Sequence, residues 1–500
     1  MSRARETIIC RIILMVSMFC IVGSFCCSCK SDNSDFPFVE GYFVDETSIS
    51  SENTIIDDTS NEPIVISLAV PYSQNTIEYL GKLYYAKLNG LLSEGVNGST
   101  VTLEELDSID VPFSFQVTYS SLEGVNDSSL INSEDAPDIY LTSNNSGMYL
   151  DGRAVGLNEY LYDNPLFDNT IVNLSALHYS YANNDDYVLC GVPHYMSYMV
   201  LMGNSDYVSQ QDIYRLSLED FYSLLVNIDI SANEIDNDAS EGETDSNNLD
   251  NSQHVVPFAN GIELLPFISD AFREGSEDSV VSSYLHSSEY ADNGFELDSD
   301  LIDSLNRELN YIDELYGNGL SSNANGMGAD LVYSRQASMW IGSSTDIGLW
   351  NEYYPDSLVL SLIPTDYDEA SSVPFLTTYY LCVSPECEQA EFASDFAAFI
   401  SLDTDALLLL SRLEPMDGVL PVVNNSTVWD AYELNPQTGS LVSIIESMVN
   451  SNEAYYMNDI LNRYSLNDIE LYLQNYSDAR FADGTVDYNV EFDLVSLYGQ

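Results

Sequence analysis

The chain has 500 residues, 45% of them apolar, and carries 80 acidic against 14 basic side chains for a net charge of -66. Apolar content at this level belongs to a globular body rather than a disordered chain. Nucleic-acid binding is excluded, because it needs a cationic footprint and the only lysines are Lys30, Lys82 and Lys87. The acidity disfavours tightly held anionic ligands but names no ligand; a salty or acidic exterior, or solubility alone, accounts for it.

Arg3, Arg5 and Arg11 flank the start of an apolar run from Ile8 to Phe25. The run is about as long as a membrane span, so one reading is a single membrane anchor. The other is a secretion signal with a charged start and an apolar middle. Cys26, Cys27, Ser28 and Cys29 follow, then a polar, acidic stretch to about Pro63. A small residue before a Cys is the pattern of a bacterial lipoprotein signal. Cys29, with Ser28 before it, is the expected lipidation site and Cys27 the runner-up; Cys26 stands where a bulky aliphatic residue is usual. The expectation is a signal segment over 1–29, an acidic disordered tether over 30–62, and lipid anchoring at the outer face of the cell membrane. Of 8 cysteines the remaining body keeps Cys190, Cys382 and Cys387. An odd number implies no complete disulfide framework and leaves a Cys382–Cys387 bridge open.

Beyond the tether, Ile64 to Val70 is an apolar run of strand length, and Asn75 to Leu92 places Ile77, Leu80, Leu83, Tyr84 and Leu88 at helical spacing. Val111 to Tyr119 alternates as a strand, and Asp138 to Thr142 is a short strand running into the polar loop Ser143–Gly147. Strand, helix, strand and strand predict an α/β fold. Residues 231–254 are acidic and low in complexity, and read as a solvated loop insertion; their Asp/Asn spacing does not match a calcium-binding EF-hand loop. Amphipathic helices are predicted over 299–316, 391–402, 405–413, 439–449 and 458–474.

No catalytic pattern emerges. His178, His194, His254 and His286 are scattered, and no nucleophile elbow, phosphate-binding loop or dinucleotide fingerprint is present. Carboxylate pairs abound by chance in so acidic a chain, so a glycosidase-like pair carries no weight. The expectation is a protein that is not an enzyme and has no cofactor or metal.

Several segments, in order, resemble the sugar-binding family (family 1) of extracellular solute-binding proteins of ABC importers, over residues 63 to 425. They are Ala136-Pro-Asp-Ile-Tyr140, Gly156-Leu-Asn-Glu-Tyr-Leu161, the YVLCGVP stretch from Tyr187 to Pro193, and Leu201-Met-Gly-Asn204 with Asp206 and Tyr207. Leu216 to Phe221, Ala337-Ser-Met-Trp-Ile-Gly342, Leu362-Ile-Pro364 and Gly418-Val-Leu-Pro-Val422 continue the series. Gly203 and Ser205 depart from the pattern, and Ser343 to Asp346 stand where a stacking Trp is frequent, with Trp350 further on. The resemblance implies a two-lobed, periplasmic-binding-protein-like (type II) α/β fold with a ligand cleft between the lobes. Lobe one would comprise 63–192 with 376–421, and lobe two 193–375 with 422–500. It implies capture of a sugar or oligosaccharide and delivery to ABC permease subunits. A surface lipoprotein of the same scaffold with no transport role, a sensor partner or glycan-binding protein, is the alternative.

Ligands of such folds lie at loops beyond strand C-terminal ends. That nominates Tyr72, Ser143, Asn144, Asn145, His194, Tyr195, Trp340, Trp350, Tyr379 and Tyr380 as ligand-binding residues. Aromatic faces pack on the C–H faces of sugar rings, and Asn or Asp satisfies the hydroxyls. With 36 tyrosines in the chain, packing competes with ligand contact at every one of these positions, and Trp340 suits a core at least as well.

Overall fold

The computed structural model describes residues 64–120, 136–161, 164–167, 171–173, 176–177, 188–239, 255–260, 299–322, 327–364, 374–414, 418–451, 454–456, 475–476 and 479–480. The expectations for the signal segment, Cys29, the tether, His178, His254, His286 and the helix over 458–474 lie outside these residues. Among the described residues no helix is long and apolar enough to cross a membrane.

The first part of the body runs β1 (Ile64–Val70), α1 (Gln74–Leu88), α2 (Leu103–Asp107), β2 (Phe113–Tyr119), β3 (Ile139–Thr142), α3 (Asn145–Leu150) and α4 (Asn158–Leu161). The long β4 (Val192–Asn204) leads to α5 (Leu218–Ala239), β5 (Val256–Phe258), α6 (Ser299–Gly317), α7 (Met327–Tyr333), β6 (Ala337–Ser343), α8 (Ile347–Tyr353) and β7 (Leu358–Ser361). The chain continues through β8 (Phe375–Val383), α9 (Ala390–Leu402), α10 (Thr404–Leu413), β9 (Val419–Pro421), α11 (Ser426–Glu433), α12 (Gly439–Asn450) and β10 (Tyr455–Tyr456).

The strand order is β2-β1-β3-β8-β4-β6-β5, with β7 and β9 also on β4 and β10 on β8. One strand therefore belongs to two sheet halves. Val192 to Tyr198 of β4 pair with β8, whereas Met199 to Gly203 pair with β6. Fully flanked strands read as near-continuous apolar runs, and β4 does so: twelve of its thirteen residues are buried in the pattern BBBBBBBiBBBBB.

The first half is closed by an aromatic cluster. β1 and β2 are parallel, with Val70 opposite Tyr119, and α1 and α9 cover one face. Phe115 stacks on Phe396 at 4.6 Å, Phe113 lies 4.9 Å from Phe392, and Tyr84 meets Phe392, Phe396 and Phe399 edge-on. Gly81 makes this possible, because any Cβ there would collide with the Phe115 ring. α1 starts where the Ser73 hydroxyl accepts from the Thr76 N–H, the usual N-cap arrangement. It stops at Leu88, four residues short of the expected end, where Asn89 and Gly90 turn the chain. Lys87 joins α1 to the start of α10 through Asp403 at 2.8 Å and Asp405 at 2.6 Å.

One expectation is corrected, and one pairing left open is decided. The acidic segment was expected to be a loop from residue 231, but α5 continues to Ala239; Ala, Glu and Ile in this stretch are adequate helix formers, so the helical backbone carries on. Residues 240–254 are outside the described set. Cys190, Cys382 and Cys387 are buried and not joined by disulfides, and the Cys382 Sγ donates to the Cys190 carbonyl at 3.3 Å.

Phe396→Ala should lower the unfolding free energy by about 3–5 kcal/mol, read as a lower urea midpoint at unchanged slope. A loss below about 1 kcal/mol would show that this cluster does not close the first half.

Candidate functional site

The register of β4 locates a crevice. Thr142, the last residue of β3, pairs with Tyr380, which pairs in turn with Pro193. Tyr195 and Tyr379 form the next pair, one step beyond the C-terminal edge of the first half's parallel strands. At the other side, Ser343 ends β6 opposite Met199, and β6 runs antiparallel to β4, so its C-terminal end points back at the first half. The carboxyl ends of both strand sets thus face each other across residues 194–198 of β4. At about 3.3 Å per residue the span from Pro193 to Met199 is roughly 20 Å, and the edge beyond strand carboxyl ends is where α/β folds hold ligands.

A bulge shapes the floor. The β4–β8 register shifts between Pro193 and Tyr195, which makes His194 the extra residue. Bulges re-aim side chains. His194 turns inward and bridges two elements: its Nε2 lies 2.5 Å from the Tyr72 hydroxyl, and its Nδ1 lies 2.9 Å from the Ser401 Oγ on α9. All three are buried. Burial pushes the His194 pKa down to about 3, so the ring is neutral at ordinary pH and one nitrogen accepts while the other donates.

On the next positions, Tyr195 stacks on Tyr379 with ring centroids 4.9 Å apart and planes 29° apart. A side-chain hydrogen bond joins Ser197 to Tyr379. Tyr195, Ser197, Tyr379 and Thr377 are directly paired residues on adjacent strands, so each opposed pair shares a face. The Tyr195 pKa is raised well above 10, first by burial and then by Tyr379, Tyr72 and Tyr119. That of Tyr379 is raised by burial and by the charge of Asp346, against a lowering by Ser197. Tyr119, at the end of β2, is 69% exposed, whereas Tyr195 is 1% exposed and its hydroxyl has no hydrogen-bond partner among the described residues. A buried hydroxyl without a partner is costly.

The nominated residues fall into three groups. Tyr72, His194, Tyr195 and Tyr379 are contiguous at the floor. Ser143, Asn144, Asn145 and Tyr380 flank it: the Asn144 side chain accepts from the Gly147 N–H at 2.9 Å and caps α3, and Asn145 donates to the Cys190 Sγ at 3.2 Å. The Tyr380 hydroxyl donates to the Ala176 carbonyl at 3.2 Å, and the backbone of Gly191 packs between Tyr380 and Asn145. Trp340 and Trp350 form a third group with Tyr333, Tyr353 and Tyr354, their own rings 5.5 Å apart. Loops were expected at His194, Tyr195, Tyr379 and Tyr380; all four lie inside strands, because the long β4 and β8 continue through the crevice instead of stopping at its edge.

Three residues were not nominated. Tyr119 ends a strand beside Tyr72's own strand, so the rule used for Tyr72 already pointed to it. Ser197 has no signal apart from its alternation with Tyr195. Asp346 lies in the Ser343–Asp346 segment; its Oδ2 and the Trp350 Nε1 are 3.8 and 4.0 Å from the point where a Cβ on Gly342 would stand.

The arrangement is a two-part α/β sheet whose strand carboxyl ends face each other across β4. An ABC substrate-binding protein from Listeria monocytogenes in complex with cycloalternan superposes with a TM-score of 0.52 at 14% identity, over 83% of this chain and 95% of that one. A structure with acarbose superposes with a TM-score of 0.53 at 16% identity, over 87% and 96%. Identities this low establish a shared periplasmic-binding-protein-like fold, the fold expected from the motifs. No protein-family model and no curated protein matches the sequence.

The folded His194 pKa of about 3 lies below the unfolded value of 6.5, so as pH falls below 6.5 the unfolded state takes up a proton that the folded state refuses. Stability attributable to His194 is lost by about 1.4 kcal/mol per pH unit through that window. Between pH 6.5 and 4.5 the wild type should lose about 2 kcal/mol more than His194→Gln in urea titrations. Equal losses would show that the ring is not held neutral.

Proposed function

We propose that this chain is an extracellular binding protein that captures a small oligosaccharide in the crevice between its two sheet halves and hands it to the permease subunits of an ABC importer. The lobes are assigned as 63–192 with 376–421, and 193–375 with 422–500. Cys29 is assigned as the lipid anchor at the outer face of the membrane. The carrying observation is the Tyr195–Tyr379 stack, with the unpartnered Tyr195 hydroxyl buried between facing strand ends. Aromatic faces suit the C–H faces of sugar rings, and a ligand hydroxyl satisfies the orphan. Asp346 supplies an acceptor from the second half, and Tyr119 and Ser143 border the crevice from the first. The two similar structures hold cycloalternan and acarbose, which supports the ligand class. Two lobes around one ligand also make closure depend on occupancy, which is how a transporter would tell loaded from empty.

Thermal unfolding against cycloalternan, acarbose, maltooligosaccharides, amino acids, peptides and polyamines tests the reading. A bound sugar at a hundred times its Kd should add about 2.7 kcal/mol, and Tyr379→Ala should abolish that shift. A shift with peptides or polyamines and none with sugars would overturn the ligand class.

A further inference from the structure

One buried hydroxyl sits where three separated segments cross. Ser344 follows β6 and opens a short helical turn, Ser344–Asp346. Its side chain is fully buried. The Ser344 Oγ accepts from the Tyr198 N–H at 3.0 Å and donates to the Gly418 carbonyl. Tyr198 is the last residue of β4 paired with β8, and Met199 is the first paired with β6. Gly418 leads into β9, which pairs with Tyr195 to Ser197. The hydroxyl therefore joins the crossing point of β4, the end of the second half's central strand and the entry to a strand of the first half. With one proton, it satisfies both neighbours and has no donor left for a ligand. Gly418 fits the junction for two reasons: its φ is +78°, and a Cβ there would collide with the Ser344 carbonyl oxygen.

The same turn carries Asp346. The Ser343 Oγ accepts from the Thr345 N–H at 3.3 Å and lies 2.7 Å from the Thr345 Oγ1, which in turn lies 3.4 Å from the Asp346 Oδ1. Asp346 bears on Tyr379. A shift at Ser344 is thus passed through one helical turn to the Asp346 carboxylate.

The geometry points to Ser344 as a positioning residue: its hydroxyl pins the junction of the two sheet halves and thereby holds the turn that carries Asp346. Its consequence for sugar affinity rests on the function proposed above, but its effect on the junction does not. Hydrogen exchange and small-angle scattering of the ligand-free chain provide the first arm. In Ser344→Ala the Tyr198 amide and residues 344–346 should exchange about tenfold faster while β1 and β2 keep wild-type protection, and the radius of gyration should rise. Ser344→Thr, which keeps the hydroxyl, should restore protection. Gly418→Ala attacks the same junction from the other side and should reproduce the alanine phenotype. Wild-type exchange and scattering in Ser344→Ala would overturn the proposal, whatever the ligand is.

The second arm uses acarbose and cycloalternan as probes. Ser344→Ala and Asp346→Asn should each weaken binding about tenfold, and the double variant should be no weaker than the poorer single one, because the two act as a unit. Additive losses would detach Ser344 from Asp346 and overturn the positioning role. If neither sugar binds the wild type, the proposed ligand class fails, and the first arm still decides the junction.

Discussion

Everything in this molecule is referred to one strand. β4 spends its first seven residues in one half and its last in the other, so the relative placement of the two sets of strand ends is fixed by the register and twist of a single ribbon. β8 and β9 pair with this strand up to the crossing, β6 and β7 take over beyond it, and at the crossing the Ser344 hydroxyl accepts from the Tyr198 N–H. Residues 194–198 of β4 lie between the facing strand ends and are buried. The bulge at His194 then decides what is presented. Without the extra residue, the alternation would continue unbroken and the imidazole and the Tyr195 ring would exchange faces. With it, the imidazole is used up inside, between Tyr72 and Ser401, and Tyr195 is paired with Tyr379.

The α/β class and the order of the early elements were legible because they rest on local periodicity: Ile64 to Val70, the helical spacing of Ile77, Leu80 and Leu83, and the helices of 391–402 and 405–413 all appear near their expected places. The crevice was legible only as a list of strand-end residues. Tyr72 and Ser143 follow strands visible in the sequence. Tyr195 and Tyr379 were nominated as loop residues, yet they are strand residues, since nothing local says that β4 runs on for 13 residues through the crevice. Asp346 was hidden for a different reason. Its turn is specified by Ser344 reaching Tyr198 and Gly418, contacts separated by 146 and 74 residues, and no window of sequence contains them.

The charge distribution ties the composition to the site. In a chain with so few bases, three of those among the described residues act at structural joints. Lys87 clamps α1 to Asp403 and Asp405, Arg412 donates to the carbonyls of Gly98 and Val101, and Arg480 holds the buried Asp313. Buried carboxylates need such partners, because an unpaired buried charge is far more costly than a paired one. The groups that bear on Tyr72, Tyr195 and Tyr379 are different in kind: other tyrosines, Glu414 and Asp346. These are hydroxyls and carboxylates, and a field of net charge -66 around them repels anions at long range.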